Sequence, residues 1–246
     1  MSLTIDRNGW LVSDAKVSRV FYVPTVRTTA LDTRAPVGIV WHTTGGVGGR
    51  GSAERLVQRI QTYRKGVDRP ASFHLLIERN GTVYQCAPFS VGTWHVGRAG
   101  EVGGRHFANV NRATIAVELE NAGTLITVRD GFYTWPFFAN PGAPAQERRP
   151  DPRCLVGRTR AALFADGRFY DGFPPAQLAA AADVLQACVR RYRLTRAAAG
   201  HGHGDFTSGK TDPGALWMRG ILPRLLDSAF GAAEVAKAQI SEGRGS

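Results

Sequence analysis

The sequence contains few cysteines, and their spacing excludes two kinds of site. Only three of its 246 residues are cysteine, and Cys86, Cys154 and Cys188 are far apart, with no C-x-x-C pair. That spacing argues against a zinc knuckle or a redox motif. We therefore expect buried, reduced thiols, which fits a protein made in the cytoplasm.

Long apolar runs are also missing. No stretch approaches the ~18 to 20 apolar residues that a membrane-spanning helix needs, so we expect no membrane insertion. The N-terminus, MSLTIDRNGWLV, lacks the basic start and apolar run of a secretion signal. We therefore expect a chain that is cytoplasmic as synthesised.

Acidic residues are scarce relative to basic ones. The chain has 31 Lys and Arg against 20 Asp and Glu, a formal net charge of +11, which attracts polyanions. The arginines are scattered, however, and no basic block alternates with aromatic residues to form a stacking platform for bases. We therefore expect no nucleic-acid partner, and the acidic bacterial wall is the other candidate.

Strand-like and helix-like segments alternate along the chain, which predicts an α/β fold with a mixed central β-sheet flanked by helices in a single domain. The Asn80-Gly81 pair predicts a hairpin between two of the strands. Residues 121–173 are rich in Pro, Gly and aromatic residues, and we interpret them as a long excursion with one hairpin. The predicted strands are 38–42, 72–77, 82–86 and 113–119, and the predicted helices are 52–63, 174–192 and 213–230.

A glycine-rich segment, 200–214, concentrates side chains that bind metals. It holds His201, His203, Asp205 and Asp212, and imidazole and carboxylate are natural ligands of Zn²⁺. A loop of this length lets His203 and Asp212 reach one ion, and His42, at the end of a buried strand, supplies a third ligand. The spacing alone is equally consistent with an adventitious metal binder or a mobile surface loop.

Glu118 is out of place near the end of an otherwise apolar predicted strand. A carboxylate in such a strand needs a partner, because burying an unpaired charge is costly. This position therefore predicts a functional carboxylate.

Motifs along most of the chain resemble the type 2 N-acetylmuramoyl-L-alanine amidases. This superfamily includes cytosolic anhydro-muropeptide amidases, phage lysins and animal peptidoglycan-recognition proteins. The resemblance covers roughly residues 8–120 and 174–226. Its segments are NGWL at 8–11, IVWHTT at 39–44, SFHLLI at 72–77, NGTVYQ at 80–85, WHVG at 94–97, residues 111–120 and residues 202–214.

The resemblance implies a zinc site and two catalytic residues. His42, His203 and Asp212 match the family's zinc ligands. Glu118 matches a carboxylate that orients or deprotonates the attacking water, and Lys210 matches a lysine that stabilises the oxyanion. The cofactor implied is Zn²⁺.

The resemblance also implies a substrate-binding surface. Trp94 and His95 lie where the family contacts substrate, with plain packing as the alternative role of His95, and Thr43 follows the first ligand. Phe73 replaces a tyrosine that some relatives carry, so a phenol cannot assist at that position.

Several histidines and one aspartate have alternative interpretations. His201 is the alternative to His203 as a ligand, although the Gly-His-x-Asp pattern favours His203. Asp205 either orients a ligand imidazole or caps a turn. We expect His74 to be a hydrogen-bonded structural residue and His106 a solvated surface residue.

The function implied is hydrolysis of the amide between the muramoyl lactyl group and L-alanine, in peptidoglycan or in muropeptides. Two alternatives stay open: a non-catalytic peptidoglycan-binding module, and a zinc hydrolase of the same fold that cleaves another amide. The expected catalytic domain is 1–231, with an unassigned insertion at about 121–173, followed by a polar tail, 232–246. The sequence does not specify an oligomeric state. Two roles stay open: recycling of muropeptides in the cytosol, and a lysin that acts on the cell wall after release.

Overall fold

The computed structural model describes residues 3–13, 20–22, 24–25, 27–46, 48, 52–62, 71–128, 133–134 and 155–231. Several features of the sequence lie outside these residues. They are Cys154, the aromatic segment 135–138, the turn 150–152 and the expected tail 232–246.

The described residues form short strands and a few helices. In chain order the strands are β1 (Leu3–Ile5), β2 (Leu11–Ser13), β3 (Val20–Tyr22), β4 (Thr28–Thr29), β5 (Gly38–Thr43), β6 (Leu75–Ile77), β7 (Val83–Gln85), β8 (Gly92–Thr93), β9 (Gly100–Val102), β10 (Arg105–Phe107), β11 (Thr114–Leu119), β12 (Thr124–Thr127), β13 (Tyr133–Thr134), β14 (Leu155–Val156), β15 (Ala161–Leu163), β16 (Phe169–Asp171) and β17 (His201–Gly202). The helices are α1 (Ser52–Gln61), α2 (Pro175–Tyr192) and α3 (215–231), whose part Leu216–Ile221 is π-helical. Two 3₁₀ turns, Val110–Arg112 and His203–Asp205, lie beside the site described below.

The central sheet is mixed, as predicted. Its strand order is β17-β5-β11-β6-β7-β3. The strands β17, β5, β11 and β6 run parallel, whereas β7 is antiparallel to β6. The β6–β7 hairpin turns at Asn80-Gly81, where Gly81 has a φ of 86°, a conformation that glycine adopts readily. The predicted hairpin is therefore confirmed.

Helices cover both faces of this sheet because its strands are apolar on both sides. On one face Trp41, Ile115 and Val117 pack with α2 and α3, and the Trp41 ring lies 5.1 Å from the ring of Trp217. On the opposite face, Leu76 packs with α1. Since side chains alternate along a strand, His42 points away from the face that carries Trp41.

The segment predicted as a long excursion contains more structure than one hairpin. Strands β12 to β16 form a five-stranded sheet of order β14-β13-β12-β16-β15, antiparallel throughout. The expectation of a single hairpin was wrong, because strands of two to four residues are too short to display a hydrophobic period.

A buried ion cluster attaches this second sheet to the central sheet. Asp171 is fully buried and receives hydrogen bonds from Arg79 Nη1 at 3.2 Å and from Arg160 Nε at 3.0 Å. Arg79 also donates to the carbonyl of Gly172 at 2.9 Å. Because Arg79 follows β6 and Asp171 ends β16, this cluster fixes the two sheets to one another.

Three smaller expectations are also tested. Cys86 and Cys188 are free and buried, as expected. His106 is exposed, as expected, although it lies on β10 of a two-stranded hairpin rather than in an irregular loop. Among the helices of the described residues, none has the length and apolarity required to cross a membrane.

Candidate active site

The site begins where two parallel strands lie side by side. In the pairing of β5 with β11, His42 is the direct partner of Glu118. Both strands are almost entirely buried, so their side chains have little freedom to move. The chain thus holds an imidazole and a carboxylate next to each other on a rigid base.

The loop from His203 to Asp212 folds back on itself and returns to its starting point. The backbone N–H of His203 donates to the carbonyl of Asp212 at 3.2 Å, and the N–H of Thr207 donates to the carbonyl of His203 at 3.1 Å. A Cβ on Gly204 would lie 2.7 Å from the carbonyl oxygen of Lys210, so the loop closes this tightly only with glycine at that position.

These elements bring two imidazoles to one carboxylate. The Nδ1 atoms of His42 and His203 both lie 3.1 Å from Oδ2 of Asp212, and the two rings are 4.8 Å apart. One potential ligand atom from each residue lies within 4.8 Å of the others. The structure therefore brings together the three residues that the sequence suggested as metal ligands.

His201 does not join this group. In the pairing of β17 with β5 it lies opposite Val40, so His203, two residues further along, lies level with His42. The Nδ1 atom of His201 instead lies 3.6 Å from Asp205, which also accepts the backbone N–H of Gly202 at 2.9 Å. Asp205 therefore holds His201 and the turn, not one of the converging imidazoles.

Glu118 has an unsatisfied carboxylate oxygen. Its Oε2 is buried and has no hydrogen-bond partner within the described residues. Burial, together with the nearby charge of Asp212, raises the pKa of Glu118 to about 8, and the charge of Lys210 opposes that rise. A carboxylate in this state is well suited to accepting a proton near neutral pH.

Two charged residues of the loop, Asp212 and Lys210, differ in their burial and in their electrostatic effects. Burial alone would raise the pKa of Asp212, but its close contacts with the imidazoles of His203 and His42 lower it well below the usual range. Lys210 is exposed, and its charge lowers the pKa of His42, after the larger effect of burial. The Lys210 ammonium is therefore close enough to act electrostatically on the site.

His95 contacts the ring nitrogen of His42 that does not contact Asp212. Its Nδ1 is 3.1 Å from Nε2 of His42, and its Nε2 is 3.2 Å from the hydroxyl of Thr114. That hydroxyl donates to the carbonyl of Val110 at 2.8 Å. Burial, followed by the charge of His42, lowers the pKa of His95 well below its ordinary value.

The backbone around His95 is held by one side chain that the sequence did not single out. Oδ1 of the buried Asn111 accepts the N–H groups of His95, Val96 and Gly97 at 3.2, 2.7 and 3.0 Å. No local pattern identifies Asn111 or Thr114, because their partners lie 14 to 19 residues away in sequence.

Two openings lie near the site, one lined by His95 and the other by Asp212. A groove of about 310 Å³ is lined by Trp94, His95 and Asn111, among others. A narrower cleft is lined by Thr43, Asp212 and residues at the start of the second sheet. The hydroxyl oxygen of Thr43 is buried without a hydrogen-bond partner among the described residues, so this cleft has a free polar group.

His74 is the structural residue that the sequence suggested. It is fully buried, its Nε2 donates to the carbonyl of Val91 at 2.9 Å, and its Nδ1 accepts the N–H of Ala116 at 3.0 Å. Phe73 is buried in the cluster beneath α1.

The donor set suits a zinc ion. Catalytic zinc takes three nitrogen, oxygen or sulfur ligands from the protein and leaves one position open, and this site offers two imidazoles and one carboxylate. Ligand atoms on one such ion lie about 3 to 4 Å apart, given bonds of ~2.0 to 2.2 Å. In this site the two imidazole-to-carboxylate separations are 3.1 Å, and all three ligand atoms lie within 4.8 Å of one another. Glu118, with its unsatisfied oxygen, lies near enough to Asp212 and Lys210 for their charges to shift its pKa.

Comparisons with known proteins assign the fold and the family. The sequence profile described as N-acetylmuramoyl-L-alanine amidase matches residues 32–215. A comparison with curated protein sequences found no match. Because the profile covers most of the chain, including every residue of the converging group, the chain belongs to the type 2 N-acetylmuramoyl-L-alanine amidase family and is an enzyme of that class.

Solved structures of amidases have a similar fold. A selenomethionine derivative of AmpD has a TM-score of 0.50 at 21% identity, and the match covers 90% of this chain and 98% of that one. An endolysin mutant from Bacillus subtilis scores 0.48 at 18% identity, covering 85% and 97%. AmiD from E. coli, in complex with an anhydro-muropeptide substrate, scores 0.46 at 17% identity, covering 91% and 65%. At 21% identity the likeness to AmpD shows the fold alone.

Proposed function

We propose that this enzyme is a zinc-dependent N-acetylmuramoyl-L-alanine amidase that hydrolyses the amide between the muramoyl lactyl group and L-alanine. The observation that carries the proposal is the convergence of His42, His203 and Asp212 beside Glu118. The family membership of the chain supports the same reaction class.

His42, His203 and Asp212 hold the metal. When bound, Zn²⁺ polarises the scissile carbonyl and makes water a better nucleophile at neutral pH. The protein contributes rigidity, because His42 lies on a buried strand and His203 and Asp212 are joined by a backbone hydrogen bond.

Glu118 is the general base and then the general acid. It removes a proton from the attacking water and delivers it to the leaving amine of L-alanine. Its buried Oε2 has no other hydrogen-bond partner among the residues described, so this oxygen is available for the transfer. A pKa of about 8 before the metal binds shows how strongly the site penalises a second negative charge beside Asp212.

Lys210 stabilises the negative charge that develops on the carbonyl oxygen. Its charge lowers the pKa values of both His42 and Glu118, which is expected of a residue beside the reacting carbonyl. Such stabilisation is typically worth a few kcal/mol of the barrier.

The substrate lies in the openings beside the metal ligands. Trp94 and His95 contribute to the groove of about 310 Å³, and Thr43 contributes a free hydroxyl in the cleft next to Asp212. The start of the second sheet lines the same cleft, so the segment 121–173 influences which stem peptide is accepted.

Peptidoglycan and soluble muropeptides both contain the amide in question. A net charge of +11 favours contact with an anionic wall, which supports a lytic enzyme that reaches the wall after release from the cytoplasm. The catalytic unit in this proposal spans 1–231.

The test combines bond identification with one isosteric variant. Purified sacculi digested by the wild type release stem peptides with a new N-terminal alanine, detected by mass spectrometry. Glu118→Gln retains zinc and loses nearly all hydrolysis, because an amide cannot accept the water proton. Cleavage at another amide would support a zinc hydrolase of different specificity, and binding to sacculi without any release would support a non-catalytic module.

A further inference from the structure

A chain of hydrogen bonds runs from His42 into the interior of the protein. It passes from Nε2 of His42 to Nδ1 of His95 at 3.1 Å, and from Nε2 of His95 to the hydroxyl of Thr114 at 3.2 Å. It ends at the carbonyl of Val110, 2.8 Å from that hydroxyl. The donor and the acceptor of each hydrogen bond can be assigned one after another along this chain of contacts.

The carbonyl at the end of the chain sets the direction of every bond. A carbonyl oxygen only accepts, so the Thr114 hydroxyl donates its single proton to Val110 and accepts from His95. A neutral His95 that donates from Nε2 has a bare Nδ1, which accepts from Nε2 of His42. His42 then has its proton on Nε2, and its Nδ1 is a bare acceptor 3.1 Å from Oδ2 of Asp212. Two acceptors this close are favourable only with a cation between them.

We infer that His95 and Thr114 are positioning residues that hold His42 in its Nε2–H tautomer, leaving Nδ1 free to bind the metal. The inference rests on the metal site proposed above and adds residues that act through His42. It also assigns the ring of His95 a role distinct from its place on the rim of the substrate groove.

Two features of the surroundings support this role. Thr114 is fully buried, so no solvent competes for its hydroxyl. Asn111, from the 3₁₀ turn that also carries Val110, accepts three consecutive backbone N–H groups beginning at His95. The same turn therefore fixes both the backbone and the ring of His95.

Both ring nitrogens of His95 are occupied. Its Nδ1 faces Nε2 of His42 and its Nε2 faces the Thr114 hydroxyl, so the ring cannot turn over without disrupting both contacts.

The test compares a variant that lacks the Thr114 hydroxyl with a variant that keeps a hydroxyl at this position. Thr114→Val has nearly the same shape and suits a strand, but it offers His95 no acceptor, so the tautomer of His42 is no longer fixed. We expect its zinc affinity, measured by competition with a chelator, to fall roughly 10- to 100-fold, as when partners of metal-bound histidines are removed. Thr114→Ser keeps the hydroxyl and restores most of the affinity.

A second test measures the protonation of the histidine rings in the wild-type protein. In ¹⁵N-labelled zinc-loaded protein, the ring nitrogen shifts should show His42 protonated at Nε2 and His95 protonated at Nε2. Wild-type zinc affinity in Thr114→Val, or a His42 protonated at Nδ1, would overturn the inference while leaving the zinc site standing. A wild type that binds no zinc would instead contradict the proposed function.

Discussion

His42 and Glu118 are paired residues on adjacent parallel strands, at the same level of the central sheet. One of them belongs to the converging imidazole and carboxylate group, and the other has a buried, unpartnered carboxylate oxygen. Because the sheet sets their separation, the metal ligand and the general base of the proposed mechanism belong to one rigid unit. The loop from His203 to Asp212 then completes the site.

Glu118 should make the metal-free enzyme less stable as the pH rises. Its folded pKa of about 8 lies above the ordinary value of 4.5, so the folded state binds a proton that the unfolded state releases. Stability is therefore lost between about pH 4.5 and pH 8. Relative to Glu118→Gln, metal-free wild type should lose up to ~5 kcal/mol over that range.

Urea unfolding of both proteins at several pH values, with a chelator present, measures this difference. Parallel pH profiles for wild type and Glu118→Gln would show that Glu118 ionises normally in the folded enzyme.

His74 should have the opposite effect, at acid pH. Burial lowers its pKa to about 4 from the ordinary 6.5, so the unfolded state gains a proton there before the folded state does. Stability is present above pH 6.5 and is lost as the pH falls toward 4, by up to ~3 kcal/mol. His74→Gln, which keeps a donor and an acceptor, should lack this acid-sensitive component, and equal slopes in the two proteins would contradict the assignment.

The sequence predicted strands of the central sheet and marked the segments that hold candidate ligands, because these signals are local. The strand 38–42 is a continuous apolar run that ends in His42, and the glycine-rich loop concentrates His203 and Asp212. Neither pattern says which of these side chains converge, and that grouping was implied by the resemblance to the amidase family.

The rest of the site depends on contacts that no local pattern records. The hydroxyl of Thr114 meets His95 across 19 residues, and Asp171 meets Arg79 across 92. The second sheet was missed because strands such as Leu155–Val156 are only two residues long. Pairing between such short segments is decided by tertiary packing rather than by their own periodicity.

Asp171 should be important for stability. It has no exposed surface and pairs with Arg79 and Arg160, so Asp171→Asn leaves two partly buried guanidinium groups without their counter-charge. Breaking a buried pair in this way costs about 3 to 5 kcal/mol. The control is Asp227→Asn, which removes an exposed pair with Arg196 and should cost less than about 1 kcal/mol.

Thermal and urea unfolding compare the two aspartate variants directly. Equal losses of stability would show that the buried cluster does not hold the second sheet to the first.

Asn111 should be needed for the segment that carries His95. Asn111→Ala removes the acceptor of three backbone N–H groups. His95 and Val96 are half-buried and Gly97 is exposed, so water can replace part of the lost bonding and the cost should be about 1 to 3 kcal/mol in total. Asn111→Asp keeps an acceptor oxygen and should retain most of the stability. Hydrogen exchange at residues 95–97 reports the change locally, and unaltered exchange in Asn111→Ala would contradict this role.

The most direct test of the whole account is the zinc content of two neighbouring histidine variants. The purified wild type should hold about one zinc per chain, as expected for three protein ligands on one ion. His203→Ala should lose that zinc, whereas His201→Ala, whose imidazole pairs with Asp205, should keep it. Retention by His203→Ala, or loss from His201→Ala alone, would contradict the ligand set on which the proposed chemistry depends.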